Sequence, residues 1–188
     1  MYCKILDEQD IAQITKRVGD EINESLKNER KIPLIVGVLK GSLNFMLEIM
    51  KHIQIPIYTD YIQISSYFGT KRTTNVRLLK DVNYDCQNRT VVIVEDIVDT
   101  GHSMKFLIEH FKQHGAKKVL VCTLIDKKMA REVEVPIDFV GYVMKENHFV
   151  VGFGLDYKEI ERNVPYIYEV DEDDVIEFEK ILSRDKEE

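Results

Sequence analysis

The stretch Val91–Ser103, VVIVEDIVDTGHS, joins an apolar run to three acids and a Thr-Gly-His-Ser turn. Thr90–Val94 is an apolar, β-branched run of the kind that forms a buried strand, and MKFLIEHFKQHG, from Met104 to Gly115, is an amphipathic helical stretch with Gly115 as its stop. A buried strand that ends in a polar loop and opens a helix places that helix's first amides at the carboxyl edge of a sheet, where an anion is stabilised. Thr100-Gly101-His102-Ser103 suits this role. Gly101 allows a tight turn and close approach to a phosphate, and the hydroxyls of Thr100 and Ser103 can donate to its oxygens. Glu95, Asp96 and Asp99 would repel a bare phosphate, so they must face sugar hydroxyls, a divalent cation or a proton in transit. A phosphorylated ribose meets all three demands. Neither common phosphate fingerprint competes: GxxxxGK[ST] is absent, and Gly152-Phe153-Gly154 lacks the third glycine of a dinucleotide loop because Tyr157 stands there.

Outward from that stretch, the pattern predicts strands alternating with helices. Ile11, Ile14, Val18 and Ile22 recur at helical spacing in an opening helix over 7–29. Pro33–Val38 is a short apolar strand leading through Leu39-Lys40-Gly41-Ser42 into a helical stretch, NFMLEIMKHI. Ile55–Ile64 reads as a strand, Ser65–Asn75 as a long polar loop, and Val76–Leu79 as a resumed strand. Lys118–Ile125, Ile137–Val143 and Phe149–Phe153 follow as strands, and DEDDVIEFEKILSRDKEE as a closing helix with acids at its start. This order implies an α/β fold with a mainly parallel sheet covered on both faces. The length suits a single domain over 1–188.

Composition narrows the function classes. Lys plus Arg number 26 against 33 Asp plus Glu, a net charge of −7, so the surface as a whole repels nucleic acid and anionic membranes. No apolar run approaches the ~20 residues of a membrane span, and MYCKILDEQDIAQI has no apolar leader core. A cytoplasmic location is expected, with no nucleic-acid or membrane partner. Cys3, Cys86 and Cys122 are odd in number and have no CxxC spacing, so they read as buried or idle thiols.

VVIVEDIVDTGHS resembles the phosphoribosyl pyrophosphate motif of type I phosphoribosyltransferases. LKGS at Leu39–Ser42, SSY at Ser65–Tyr67, DKK at Asp126–Lys128 and FVVGFGLDYKEIER at Phe149–Arg162 resemble the hypoxanthine-guanine members of that family, in the expected order along most of the chain. The resemblance implies a parallel twisted core over about 30–145 and a small hood formed by the N-terminal region and about 146–188. It implies transfer of phosphoribose from phosphoribosyl pyrophosphate to N9 of hypoxanthine or guanine, with xanthine a further candidate base, in dimers or tetramers and with Mg2+.

The same resemblance implies roles residue by residue. Glu95 and Asp96 would hold the ribose hydroxyls, and the loop through Ile97, Val98, Asp99, Thr100, Gly101, His102 and Ser103 would bind ribose and its 5-phosphate, with Asp99 the general base near purine N7. Lys40, Gly41 and Arg162 would meet pyrophosphate, with a cis peptide at Leu39-Lys40. Lys127 would donate to the oxygen at C6, Phe149 would stack on the purine, and Val150 and Asp156 would read its other edge through their backbone. Asp156, Glu95 and Asp96 would hold magnesium, and Ser66 and Tyr67 belong to a lid at 65–75. Lysine is donor-only, so an adenine amino group would leave it unpaired.

Blander readings apply elsewhere. His110 and His114, four apart, lack HExxH and read as surface histidines; Asp171–Asp174 reads as a helix start, not a calcium loop. Lys71-Arg72 suits pyrophosphate contact or lid solubility equally. A nucleic-acid-binding regulator of this fold would need a basic face, and an adenine enzyme would need an acceptor near C6. His102 stands where the family more often has Lys, Arg or Asn, so phosphate affinity is expected to fall as pH rises through its titration.

Overall fold

The computed structural model describes residues 3–68 and 74–185, although not the side chains of 66–68, 74 and 75. In chain order the elements are β1 (Cys3–Leu6), α1 (Glu8–Leu26), β2 (Leu34–Leu39), α2 (Leu43–Met50), β3 (Tyr58–Phe68), β4 (Thr74–Lys80), β5 (Thr90–Val98), α3 (His102–Gln113), β6 (Lys118–Asp126), β7 (Phe139–Val143), β8 (Val150–Val151), β9 (Ile167–Glu169) and α4 (Glu172–Arg184). Six strands form one sheet in the order β4-β3-β2-β5-β6-β7, and β1-β9-β8 form a smaller one. The β2·β3, β2·β5, β5·β6 and β6·β7 pairings are parallel; β3·β4 is antiparallel.

β5 is interior because both of its edges are paired, with Leu34↔Val91 on one side and Val91↔Val119 on the other. Its residues divide between two cores. Val92 and Val94 join Ile35 on the face covered by Val18, Ile22 and Leu26 of α1 and Phe45, Met46 and Ile49 of α2. Val91 and Ile93 join Val121 on the face covered by Met104, Leu107, Ile108 and Phe111 of α3. Helices on both faces are what a parallel sheet with continuous apolar strands requires. Gly37 shows how closely α2 and β3 approach β2: a Cβ there would meet Met46 Sδ at 2.6 Å and the Tyr61 ring at 2.9 Å.

Both terminal helices begin on a capping box. Asp7 accepts from the N–H groups of Gln9 and Asp10 while Asp10 returns a bond to Asp7, and Asp171 with Asp174 repeats the arrangement in α4. That satisfies the expectation of a helix start at Asp171–Asp174.

Several expected boundaries need correction. Both ends of the loop expected over Ser65–Asn75 are strand: β3 runs to Phe68, β4 begins at Thr74, and Ser66↔Val76 and Tyr67↔Asn75 are paired antiparallel, while 69–73 lie outside the described residues. Polar residues without an apolar period can form such strands because an antiparallel ladder satisfies their backbone whatever the side chains face. Of the lid residues, Ser66 and Tyr67 contribute backbone to β3, while their side chains, Lys71 and Arg72 lie outside the described residues. The strand expected at Phe149–Phe153 shrinks to Val150–Val151, since Gly152, Phe153 and Gly154 all take positive φ and curl away. β1 and β9 carried no clear periodic signal, being short strands of the smaller sheet.

Phe45, fully buried where α2 meets the sheet, makes this packing testable. Phe45→Ala is expected to lower unfolding free energy by about 3–5 kcal/mol in urea titration; a loss below about 1 kcal/mol would show that α2 is not seated on this core.

Candidate active site

β5 extends through Val98, so Glu95 and Asp96 lie on the strand itself and not in the loop beyond it. Gly101 then turns the chain with φ 89° and caps α3. Only glycine fits there, because a Cβ would also meet the Val133 carbonyl at 2.3 Å. The turn presents the first amides of α3 beside the end of β5, the arrangement that favours an anion. Thr100, His102 and Ser103 flank it half-buried, and Asp99 is exposed.

The two strand carboxylates are electrostatically uncomfortable. Burial, followed by the neighbouring Asp96 charge, pushes Glu95 well above the usual carboxylate range; burial also raises Asp96, against the lowering hydrogen bond from the Ile97 N–H at 2.8 Å. Both side chains nevertheless retain partial solvent contact. Such a pair wants ribose hydroxyls or a divalent cation, and an all-oxygen donor set suits the hard ion Mg2+.

A second loop closes on this pair. The Leu39-Lys40 peptide is cis, as the resemblance implied. Beyond it the backbone of Gly41 runs so near Asp96 that a Cβ would lie 1.7 Å from Oδ2. A Cβ at Gly154 would in turn lie 2.1 Å from the Gly41 carbonyl oxygen. Gly41 is therefore the place where the β2–α2 loop, the end of β5 and the 152–162 segment meet without room for side chains.

In this segment Arg162 donates through Nη1 to the Gly154 carbonyl at 2.7 Å and pairs through Nη2 with Asp156 at 2.8 Å and Glu159 at 3.2 Å. Its Nε is buried with no hydrogen-bond partner. Glu159 also takes Lys40 Nζ at 2.6 Å, and that bond, ahead of the opposing effect of burial, holds its carboxyl below the usual range. The Lys40–Glu159 pair is largely exposed on both sides, so it contributes only about 0–1 kcal/mol and yields readily to a competing anion. Asp156 is occupied on both oxygens, by Arg162 and by the Glu159 N–H at 2.8 Å. Phe153, Lys158, Glu159 and Glu161 all have positive φ without being glycine, strain of about 1–3 kcal/mol each that collects at functional loops.

At the other side of the β5 edge, Lys127 donates to the His148 carbonyl at 2.8 Å, and its N–H bonds the Val98 carbonyl at 2.9 Å. Burial lowers the Lys127 ammonium pKa, partly offset by the Asp99 charge. Phe149 is 52% exposed, edge-on to Tyr157 at 6.1 Å, next to buried Val150. An exposed aromatic face beside a positioned lysine is a platform for a flat heterocycle.

Arg131 and Glu132 bear on the site although local pattern does not mark them. Arg131 is nearly buried against Asp126 and donates through Nε to the Asp99 carbonyl at 2.8 Å, so it fixes the backbone that carries Asp99. Glu132 and Val133 donate their N–H groups to the Thr100 carbonyl at 3.0 and 2.9 Å, and the Glu132 carboxylate faces His102 Nε2 at 3.0 Å. These contacts join residues some thirty positions apart, beyond the reach of a spacing argument.

The phosphoribosyl transferase domain model matches residues 1–158. A hypoxanthine-guanine phosphoribosyltransferase of Streptococcus pyogenes is 44% identical over 166 residues, covering 87% of this chain and 91% of that protein. Among solved structures, a hypoxanthine phosphoribosyltransferase of Staphylococcus aureus superposes with a TM-score of 0.85 at 34% identity, covering 90% of this chain and 91% of that one. A hypoxanthine phosphoribosyl transferase of Trypanosoma cruzi superposes with a TM-score of 0.88 at 27% identity, covering 96% and 97%. With its strand-end acids, glycine turn and meeting loops in these positions, the chain belongs to the phosphoribosyl transferase domain family.

Proposed function

We propose that this chain is a hypoxanthine-guanine phosphoribosyltransferase, joining a 6-oxopurine through N9 to the phosphoribosyl group of phosphoribosyl pyrophosphate and releasing pyrophosphate. The observation that carries the reading is the apposition of Glu95 and Asp96 with the Gly41 backbone, next to the glycine turn that opens α3. It supports a site for a phosphorylated ribose with an anionic leaving group. We further propose one domain over 1–188 with the core and hood limits given above, a cytoplasmic location and a homodimer or homotetramer. Among the described residues no helix is long and apolar enough to cross a membrane.

In this mechanism the α3 amides, Thr100 and Ser103 bind the 5-phosphate, with His102 at its rim, while Glu95 and Asp96 orient the ribose hydroxyls. Lys40, Gly41 and Arg162 receive pyrophosphate, whose charge replaces that of Glu159 on both cations. Mg2+, held by Glu95, Asp96 and Asp156, would supply positive charge to the departing pyrophosphate. Phe149 stacks on the purine, Lys127 donates to its C6 oxygen, and the backbone at Val150 and Asp156 reads the opposite edge. Asp99, its backbone fixed by Arg131, takes the proton at N7 as N9 attacks ribose C1. The β3–β4 hairpin bearing Ser66 and Tyr67 covers the reacting centre against water.

Three outcomes test this reading. With Mg2+ and phosphoribosyl pyrophosphate, hypoxanthine and guanine are expected to react and adenine not to, in a spectrophotometric assay that also includes xanthine; activity confined to adenine, or absent with every base, would contradict it. Asp99→Asn is expected to lower kcat by about 10²-fold or more, the usual worth of a positioned base, with KM for phosphoribosyl pyrophosphate little changed. For the metal-free, ligand-free protein, the raised Glu95 pKa means that the folded state holds a proton the unfolded chain releases, so stability falls as pH rises from the ordinary carboxylate range through the raised folded value. Glu95→Gln should therefore raise Tm above neutral pH by roughly 2–4 °C, the shift of about 1 kcal/mol in a domain of this size, while abolishing turnover. An unchanged or lower Tm would remove the electrostatic argument.

A further inference from the structure

A second cluster of ligating side chains lies away from this cleft, on the far turns of α3. His110 and His114 follow one another at the i, i+4 spacing that puts two imidazoles on one helix face. The expectation that they are surface histidines without a third ligand holds only along the sequence. The connection from β4 to β5 brings Asp81 to them: its Oδ1 stands 2.9 Å from His110 Nε2, and ligand atoms of Asp81, His110 and His114 all lie within 4.8 Å of one another.

The geometry also orients the ligands, and an ion bound between Asp81 and His110 would displace the Nε2 proton that His110 donates to the Asp81 carboxylate. His114 Nδ1 lies 2.8 Å from the His110 carbonyl oxygen. A carbonyl only accepts, so Nδ1 carries the proton and Nε2 keeps its lone pair for a metal, the backbone orientation common for ligating histidines. The His110 side chain is only 11% exposed. Its ring lies edge-on to Phe111 at 5.4 Å and stacked with Phe106 at 6.2 Å, so its direction is fixed by packing. Asp81 Oδ1 is steadied by the Val82 N–H at 2.8 Å. A cavity of about 110 Å³ adjoins the three side chains, with room for a fourth, water ligand. Metal–ligand bonds near 2.0–2.1 Å place tetrahedral donors roughly 3.3 Å apart, so a small inward movement of the exposed His114 ring completes the set.

We propose that Asp81, His110 and His114 form a binding site for a divalent transition ion of the zinc class. Two imidazoles and one carboxylate match a borderline ion and not Mg2+, which prefers oxygen. An ion there would tie the exit of β4 to α3, the helix whose opposite end forms the proposed phosphate cradle.

The test is zinc binding to the full chain, stripped with chelator and kept in excess Mg2+ so that the hard-ion site is occupied. One equivalent of zinc is expected to bind, to raise Tm, and to shift the imidazole nitrogen resonances of His110 and His114 while leaving those of His52 and His148 in place. His114→Ala, at an exposed position, should weaken zinc at least about tenfold, with Asp81→Asn doing the same by removing an acid from a different element. Zinc that binds wild type without moving the His110 and His114 resonances, equal affinity in a folded variant, or no binding at one equivalent would overturn the proposal.

Discussion

The structure depends on the burial of β5 between β2 and β6. An interior strand of a parallel sheet has no edge in water, so its first residues must be apolar on both faces, and Val91–Val94 are. Polar chemistry can begin only where the strand leaves the core, which brings Glu95 and Asp96 to the sheet's carboxyl edge. The partners on either side share that direction, so β2 delivers Lys40 and Gly41 and β6 delivers Asp126 and Lys127 to the same edge. Three groups distant in sequence meet because three neighbouring strands end together.

The site that results is under strain and poorly neutralised. Two adjacent carboxyls have raised proton affinity, Lys40 is balanced by the exposed Glu159 that it shares with Arg162, which also pairs with Asp156, and four non-glycine residues of the 153–161 stretch hold positive φ. The buried carboxyls and the strained backbone each cost stability, and under the proposed function a diol and metal at the acids and an anion at the cations would offset the electrostatic part. Glu159 stands in for that anion through a contact weak enough to break.

Much of this was legible from residues alone. The apolar run before EDIVDTGHS marked the central strand, and Gly101 marked the turn, because both follow from local rules. The strands at Ile55–Ile64 and Val76–Leu79 were legible, but the ends of β3 and β4 that lie within 65–75 were not: those residues are polar and aperiodic, and only cross-strand pairing makes them strands. Arg131 on the Asp99 carbonyl, Glu159 on Lys40 and Asp81 beside His110 were hidden for a related reason. Each is a tertiary contact whose partner is set by topology, and no short spacing encodes it. The cis peptide before Lys40 and the roles of Phe149 and Lys127 came from family resemblance; the residues themselves indicate only a turn, an aromatic and a cation.

The central claim is that the end of β5 and the opening of α3 hold the phosphoribosyl group while Lys127 and Phe149 hold the base. Hydrogen–deuterium exchange with and without GMP tests it directly. Protection is expected at the amides of 99–105 and 149–151, with guanosine protecting only the second group because it lacks the phosphate. Protection by GMP confined to other segments, or equal protection of 99–105 by guanosine, would contradict the account.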